Sequence, residues 1–128
     1  MNTIQLLTDA GIYQEFWCFK GDVLEFSVYV ENPDGTPKNL TGYTAVATFK
    51  KNQSDTNDKA VIGPLTGTIS SPSTGIIEFN SSETDIDARE YWFDCEIRRV
   101  EPHDVQTVAW GKCAIIQDIT DVIIDPED

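Results

Sequence analysis

Side chains able to do chemistry are few and scattered along this chain. His103 is the single histidine, and it follows Pro102 in the polar stretch Glu101-Pro102-His103-Asp104. A Ser-His-Asp triad is recognised by geometry, but the Gly-x-Ser-x-Gly elbow that exposes a nucleophilic serine is absent. An exposed loop histidine is the expectation, and no residue is put forward as catalytic. Cys18, Cys95 and Cys113 lack the short paired spacing of a zinc site. Their neighbours Trp17, Phe19, Phe93, Ala114 and Ile115 suit thiols packed in a core. Spacing singles out no disulfide pair, and folding in a reducing cytoplasm requires none. A calcium site needs about six to eight oxygens, and no EF-hand loop is present. Asn32-x-Asp34-Gly35 supplies too few and already reads as a turn. Asp85 with Asp87, or Asp118 with Asp121, comes nearest to an ion site; solvated acidic loops are the simpler account. Gly63 and Gly67 belong to no lysine-bearing phosphate loop. Paired carboxylates for glycoside hydrolysis are defined by a distance in space, and so many acids make chance pairs common. Neither a metal nor a cofactor is expected.

Two tryptophans carry the remaining chemical interest. Trp92 and Trp110 both fall in long alternating runs, and Trp92 has the opposite parity to Tyr91. An outward Trp stacks on a sugar or anchors a protein interface. Burial within the chain or against a subunit is the competing and favoured outcome, because large aromatic surfaces are rarely left wet. With the apolar terminal strips Ile4, Leu6, Leu7 and Val122, Ile123, Ile124, these tryptophans form the candidate interface.

The elements that would position them are strands. Tyr91, Phe93, Cys95 and Ile97 alternate with Trp92, Asp94, Glu96 and Arg98, the period of a strand with one buried face. Leu24, Phe26, Val28 and Val30 alternate in the same way, as do Tyr43, Ala45, Ala47 and Phe49. The two alanines leave room for a bulky partner such as Trp17 or Phe93. Asn32-Pro33-Asp34-Gly35 has the chemistry of a type I turn followed by glycine. Residues 52–59 are polar and read as a loop, whereas 60–71, broken by Gly63, Pro64 and Gly67, read as an irregular edge strand or two short ones. Residues 81–88 predict one helical turn capped by Ser81 or Ser82. Gln106 to Ile119 is the last long strand, with Gly111 as its bulge or twist point. About seven to nine antiparallel strands with almost no helix predict an all-β, immunoglobulin-like sandwich, with a jelly roll as the alternative. Residues 12–120 make the sandwich, 1–11 an N-terminal strand or arm, and 121–128 an acidic tail.

Composition narrows the function. The 128 residues suit one domain, and 40% of them are hydrophobic. Twenty-two acidic against nine basic residues give a formal net charge of -13. That surface repels phosphate backbones and anionic lipid, so neither nucleic acid nor membrane is an expected partner. No run approaches a membrane span, and the N-terminus has no signal-peptide pattern. The Asn-x-Ser/Thr triplets at Asn39, Asn52 and Asn80 are read as chance matches.

Several fragments, in order, resemble a known family. They are Lys20-Gly21-Asp22 with Leu24, Phe26 and Val28; residues 34–44, Asp34-Gly35-Thr36-Pro37 through Tyr43-Thr44; Thr74-Gly75-Ile76-Ile77-Glu78-Phe79; Tyr91-Trp92-Phe93-Asp94; and Thr107-Val108-Ala109-Trp110-Gly111 leading to Gln117-Asp118-Ile119-Thr120. Together, over roughly residues 16 to 120, they resemble the immunoglobulin-like N-terminal domain of upper baseplate proteins of tailed phages. Where that family has Gly before the Tyr of the penultimate strand, this chain has Glu90. Asp87-Ala88-Arg89-Glu90-Tyr91 is similar to the tyrosine corner of such sandwiches, in which the hydroxyl returns to the backbone. The resemblance implies a non-enzymatic structural protein of the virion, in tail, baseplate or neck, assembled in the host cytoplasm. Its partners would be other virion subunits, in several copies per particle. A carbohydrate- or host-surface-binding module on the virion, as a capsid decoration or fibre with a host glycan as partner, is the alternative that Trp92 and Trp110 suggest.

Overall fold

The period-two pattern at Leu24 to Val30 becomes a strand whose Leu24, Phe26, Val28 and Val30 are buried, with Glu25 and Tyr29 half-buried on the other face. The computed structural model of the chain describes residues 3–8 and 12–117, with 3–8 and 12 as backbone alone. These residues hold β1 (Thr3–Thr8), β2 (Ile12–Phe19), β3 (Leu24–Val30), β4 (Tyr43–Lys50), β5 (Ile62–Thr66), β6 (Ile76–Ser81), β7 (Arg89–Arg99) and β8 (Asp104–Ile116). Short 3-10 turns occur at Asn57–Lys59 and Pro72–Thr74. Among the described residues no helix is long and apolar enough to cross a membrane.

The strands pair in two sheets, β1-β3-β6 and β2-β8-β7-β4-β5. Their apolar faces share one core. Phe26 of β3 stacks on Phe79 of β6 at 5.0 Å and reaches across to Phe16 of β2 at 5.5 Å and Phe49 of β4 at 5.9 Å. Phe93 of β7 lies opposite Phe49 and packs 5.8 Å from it, while the β7 residues opposite Ala45 and Ala47 are Ile97 and Cys95 rather than Phe93. Trp17, the other candidate for the space beside the alanines, is on the outside and 51% exposed. Two sheets closed over one aromatic core make an all-β sandwich, as the patterning predicted.

Pairing departs from a uniformly antiparallel arrangement at two places. β1 runs parallel to β3, from Thr3↔Glu25 to Thr8↔Val30, and β2 runs parallel to β8, from Ile12↔Ala109 to Phe19↔Ile116. Side-chain alternation fixes which face is buried but carries no strand direction, so the sequence held no signal for this. The acidic tail and the strip Val122, Ile123, Ile124 lie outside the described residues.

Residues 81–88 form no helical turn. The Ser81 hydroxyl accepts the Glu83 N–H at 3.0 Å, a local side-chain turn that competes with helix. Thr84 is fully buried; its hydroxyl donates to the Asp22 carbonyl, and its own carbonyl accepts the Gly21 N–H at 3.2 Å. The segment is thus pinned to the β2–β3 turn. Four residues before β7's buried Tyr91, the Asp87 carbonyl accepts the Tyr91 hydroxyl at 2.6 Å, so the predicted corner is present.

The bulge in β8 falls at Val108, not at Gly111. Cys95 pairs with Ala109 and Glu96 with Thr107, which leaves Val108 as the extra residue. Val108 and Ala109 are then both buried, a step that simple alternation cannot supply. Gly111 has another role. Its φ is 151°, and a Cβ there would fall on the Gln14 carbonyl oxygen, 2.7 Å from the Gln14 carbonyl carbon and 2.9 Å from its nitrogen. The missing side chain lets β2 lie against β8. Residues 62–66 form one strand, with Gly63 and Pro64 at the sheet edge, where a missing N–H breaks no ladder.

Candidate functional site

The outer face of the five-stranded sheet gathers what the inner face excludes. Cross-strand pairing sets its rows. Tyr13, Trp110, Asp94 and Thr48 lie side by side across β2, β8, β7 and β4. The next row is Glu15, Lys112, Trp92 and Lys50, and the one after is Trp17, Ala114 and Glu90. Aromatic and charged side chains therefore alternate along β2 (Tyr13, Glu15, Trp17) and β7 (Glu90, Trp92, Asp94), which makes Trp92 and Trp110 diagonal neighbours on the pleated face.

Trp92 and Trp110 meet on this diagonal with planes 8° apart and centroids separated by 6.3 Å. Their outer flanks are propped. Tyr13 meets Trp110 edge-on at 4.9 Å, and the Lys112 ammonium lies 5.0 Å over Trp92 while pairing with Glu90 at 3.6 Å. Glu15 accepts the Tyr13 hydroxyl at 2.6 Å. That bond, with some burial and the nearby Glu90 charge, pushes the Tyr13 phenol up to about 12.

Beside the two indoles the face opens into a depression of about 220 Å³ lined by both rings, Asp94, Lys50, Thr48, Thr107, Gln53 and Phe93. The Lys50 ammonium is anchored by the Asp55 carbonyl at 2.9 Å. Asp94 is open to solvent at the rim yet crowded by its neighbours. That partial loss of water raises its pKa; Lys50 opposes the shift and Glu96 adds to it. No hydrogen bond joins the Asp94 carboxylate, or the Thr48 and Thr107 hydroxyls, to another described residue.

A second polar cluster closes on itself. The Tyr43 hydroxyl donates to Asp104, and the Arg99 and Lys38 cations lie over the Tyr43 ring at 4.7 and 5.3 Å. The Tyr43 bond, reinforced by Gln106, Arg99 and Lys38, holds Asp104 below the usual carboxylate range. This end of the sandwich ties β4 to β8 rather than presenting free groups.

Of the residues singled out in the sequence, the structure brings Trp92 and Trp110 together. Ile4, Leu6 and Leu7 lie in β1, in the other sheet, and their side chains are not described; Val122, Ile123 and Ile124 lie outside the described residues. His103 is exposed at the β7–β8 turn. All three cysteines are free thiols, Cys95 and Cys113 buried and Cys18 half-buried. Among the described residues no group of His, Cys, Asp and Glu could hold a metal ion. Sequence reasoning missed Tyr13, Lys112 and Asp94 as parts of the site. The outward parity of Asp94 was legible, but the parallel β2–β8 pairing that seats Tyr13 beside Trp110 was not.

No family model matches the chain, and no curated protein matches it. Among solved structures it is similar to the N-terminal domain of phage TP901-1 ORF48, with a TM-score of 0.55 over 91% of this chain and 100% of that one. The chain has the fold of that phage domain. Identity over the match is 8%, so the likeness is one of fold and extends to no particular side chain.

Proposed function

We propose that this chain is a non-enzymatic structural component of a tailed-phage virion, an immunoglobulin-like module of tail, baseplate or neck that mediates contacts between subunits. The observation that carries the reading is the fold: the chain overlays the whole of a phage protein's N-terminal domain. The ordered fragments that resemble upper baseplate proteins, and the tyrosine corner at Tyr91, point the same way. Rigid sandwiches make directional contacts through sheet edges, where backbone groups add a neighbour's strand. On this reading β1, at an edge of its sheet, carries Ile4, Leu6 and Leu7 to such a contact, and Val122 to Ile124 serve a second one. Several copies per particle follow from the repeated symmetry of tails and baseplates.

The test is genetic and biochemical. A phage deleted for the coding region should yield particles that are incomplete or non-infectious, with rescue by the full chain but not by a chain carrying Leu6→Asp and Ile123→Asp. Normal infectivity of the deletion phage, together with a monomeric purified protein, would remove the reading.

A further inference from the structure

The depression beside Trp92 and Trp110 combines two demands that few ligands meet together. Its walls are parallel indole rings held from outside the depression by Tyr13 and Lys112, so they are in place before anything binds. Its floor and rim carry a carboxylate with no donor from the described chain, two hydroxyls without partners there, and an ammonium with only the Asp55 bond. A protonated lysine has three donors, so Lys50 retains two.

An apolar side chain from another protein would satisfy the rings but bury Asp94 without a donor, which is costly. An inorganic anion would meet the Asp94 charge on a protein of net charge -13. A metal ion would find one carboxylate where several oxygens are needed. A pyranose meets both demands. Its ring presents polarised C–H bonds to an aromatic face, and its equatorial hydroxyls both donate and accept.

We propose that this depression is a binding site for one neutral hexopyranose unit of a glycan, stacked against Trp92 and Trp110, with adjacent hydroxyls donating to Asp94 and a third accepting from Lys50. The volume of about 220 Å³ suits one ring rather than a chain, and the open outer side lets the glycan continue into solvent. A site of this size, with two hydrogen-bonding charges and one stacked face, gives a Kd of roughly 1 to 10 mM. Several copies on one particle would raise the effective strength by avidity. The site stands independently of virion assembly, because a free chain binds sugar or does not, wherever it resides.

The experiment is a titration of the full chain, followed by the indole N–H signals of its three tryptophans. The probes are methyl glycosides of glucose, galactose, mannose, rhamnose and N-acetylglucosamine, with glucuronic acid as the anionic control. At least one neutral glycoside should shift Trp92 and Trp110 saturably while leaving Trp17 in place, and glucuronic acid should bind more weakly. Asp94→Asn should weaken binding about tenfold, the loss of a charge-assisted hydrogen-bond pair. Trp92→Phe should weaken it less, and Trp17→Phe should leave it unchanged. Urea midpoints for each variant separate lost binding from lost folding. The proposal is overturned if no neutral glycoside shifts these indoles up to roughly 100 mM, well above the expected Kd. It is equally overturned if Asp94→Asn binds like the parent, or if Trp92 and Trp110 shift only with protein concentration, which would make this face a contact between copies.

Discussion

Replacing Gly111 with Ala should separate β2 from the sandwich. The added Cβ would fall on the Gln14 carbonyl oxygen, with the Gln14 carbon and nitrogen 2.7 and 2.9 Å away. These are backbone atoms in the middle of an eight-residue strand, so no rotamer change relieves the overlap. The φ of 151° adds strain for any L side chain, on the order of 1 to 3 kcal/mol. Parting the strands would expose Phe16, now 8% exposed, at roughly 1.5 to 3 kcal/mol. Together these cost about 2.5 to 6 kcal/mol, from the upper end of ordinary substitutions into the range that marks a specific structural cause. At roughly 3 to 6 °C per kcal/mol for a domain of this size, Tm falls by about 8 °C or more. Gly35→Ala is the control: its φ is 86°, but a Cβ there meets nothing within 4 Å. It should cost about 1 to 2 kcal/mol, the intrinsic price of the left-handed conformation. Urea unfolding gives both values, and hydrogen exchange should show protection lost over residues 12–19 in the Gly111 variant alone. A Gly111→Ala protein within about 1 kcal/mol of the parent, with β2 amides still protected, would refute the close passage of β2 over β8.

Tyr91→Phe removes only the hydroxyl that donates to the Asp87 carbonyl, and should cost about 0.5 to 1.5 kcal/mol in urea unfolding. A loss near zero would mean that the corner is packing alone. Crowding raises the Asp94 pKa above its ordinary value of 3.8, so the folded protein holds that proton more tightly than the unfolded chain does. Ionised Asp94 therefore costs stability above the folded pKa, and the cost disappears as pH falls through the folded pKa toward the ordinary value. Asp94→Asn should raise Tm at neutral pH, with the gain shrinking on acidification; a gain that grows toward acid pH would reverse the assignment. Burial raises the Cys95 and Cys113 thiols far above their usual range and raises the half-buried Cys18 less severely. Native protein treated with iodoacetamide should take label at Cys18 first, and at Cys95 and Cys113 only after unfolding, as read by peptide mass spectrometry.

The faces of the sandwich were legible because alternation reports burial directly. Leu24 to Val30, Tyr43 to Phe49 and Tyr91 to Ile97 each put their apolar set inside, and the outward parity of Trp92 followed from that of Tyr91. The corner was legible because an acidic residue, a small residue and a Tyr at a strand entry have a defined partner in space. Other features depend on contacts between distant segments. The parallel entry of β2 beside β8 gives Gly111 its role and seats Tyr13 against Trp110. The extra residue fell at Val108 because Val108 and Ala109 both fill core space opposite Cys95, which no local rule anticipates. Thr84 falls in the stretch whose residues predict a helical turn, yet it is buried because its hydroxyl finds the carbonyl of Asp22, far away in sequence. The depression is hidden in sequence for the same reason: Thr48, Asp94 and Trp110 come from three strands.

Whether this module is a part of the particle is the most direct question. Quantitative mass spectrometry of purified, disassembled phage particles, separated into capsid, neck, tail and baseplate fractions, answers it. The chain should appear in the tail, baseplate or neck fraction at a constant ratio to its neighbours, corresponding to several copies per particle. Its absence from every fraction, with the protein found only in the infected cell, would contradict a structural role in the virion.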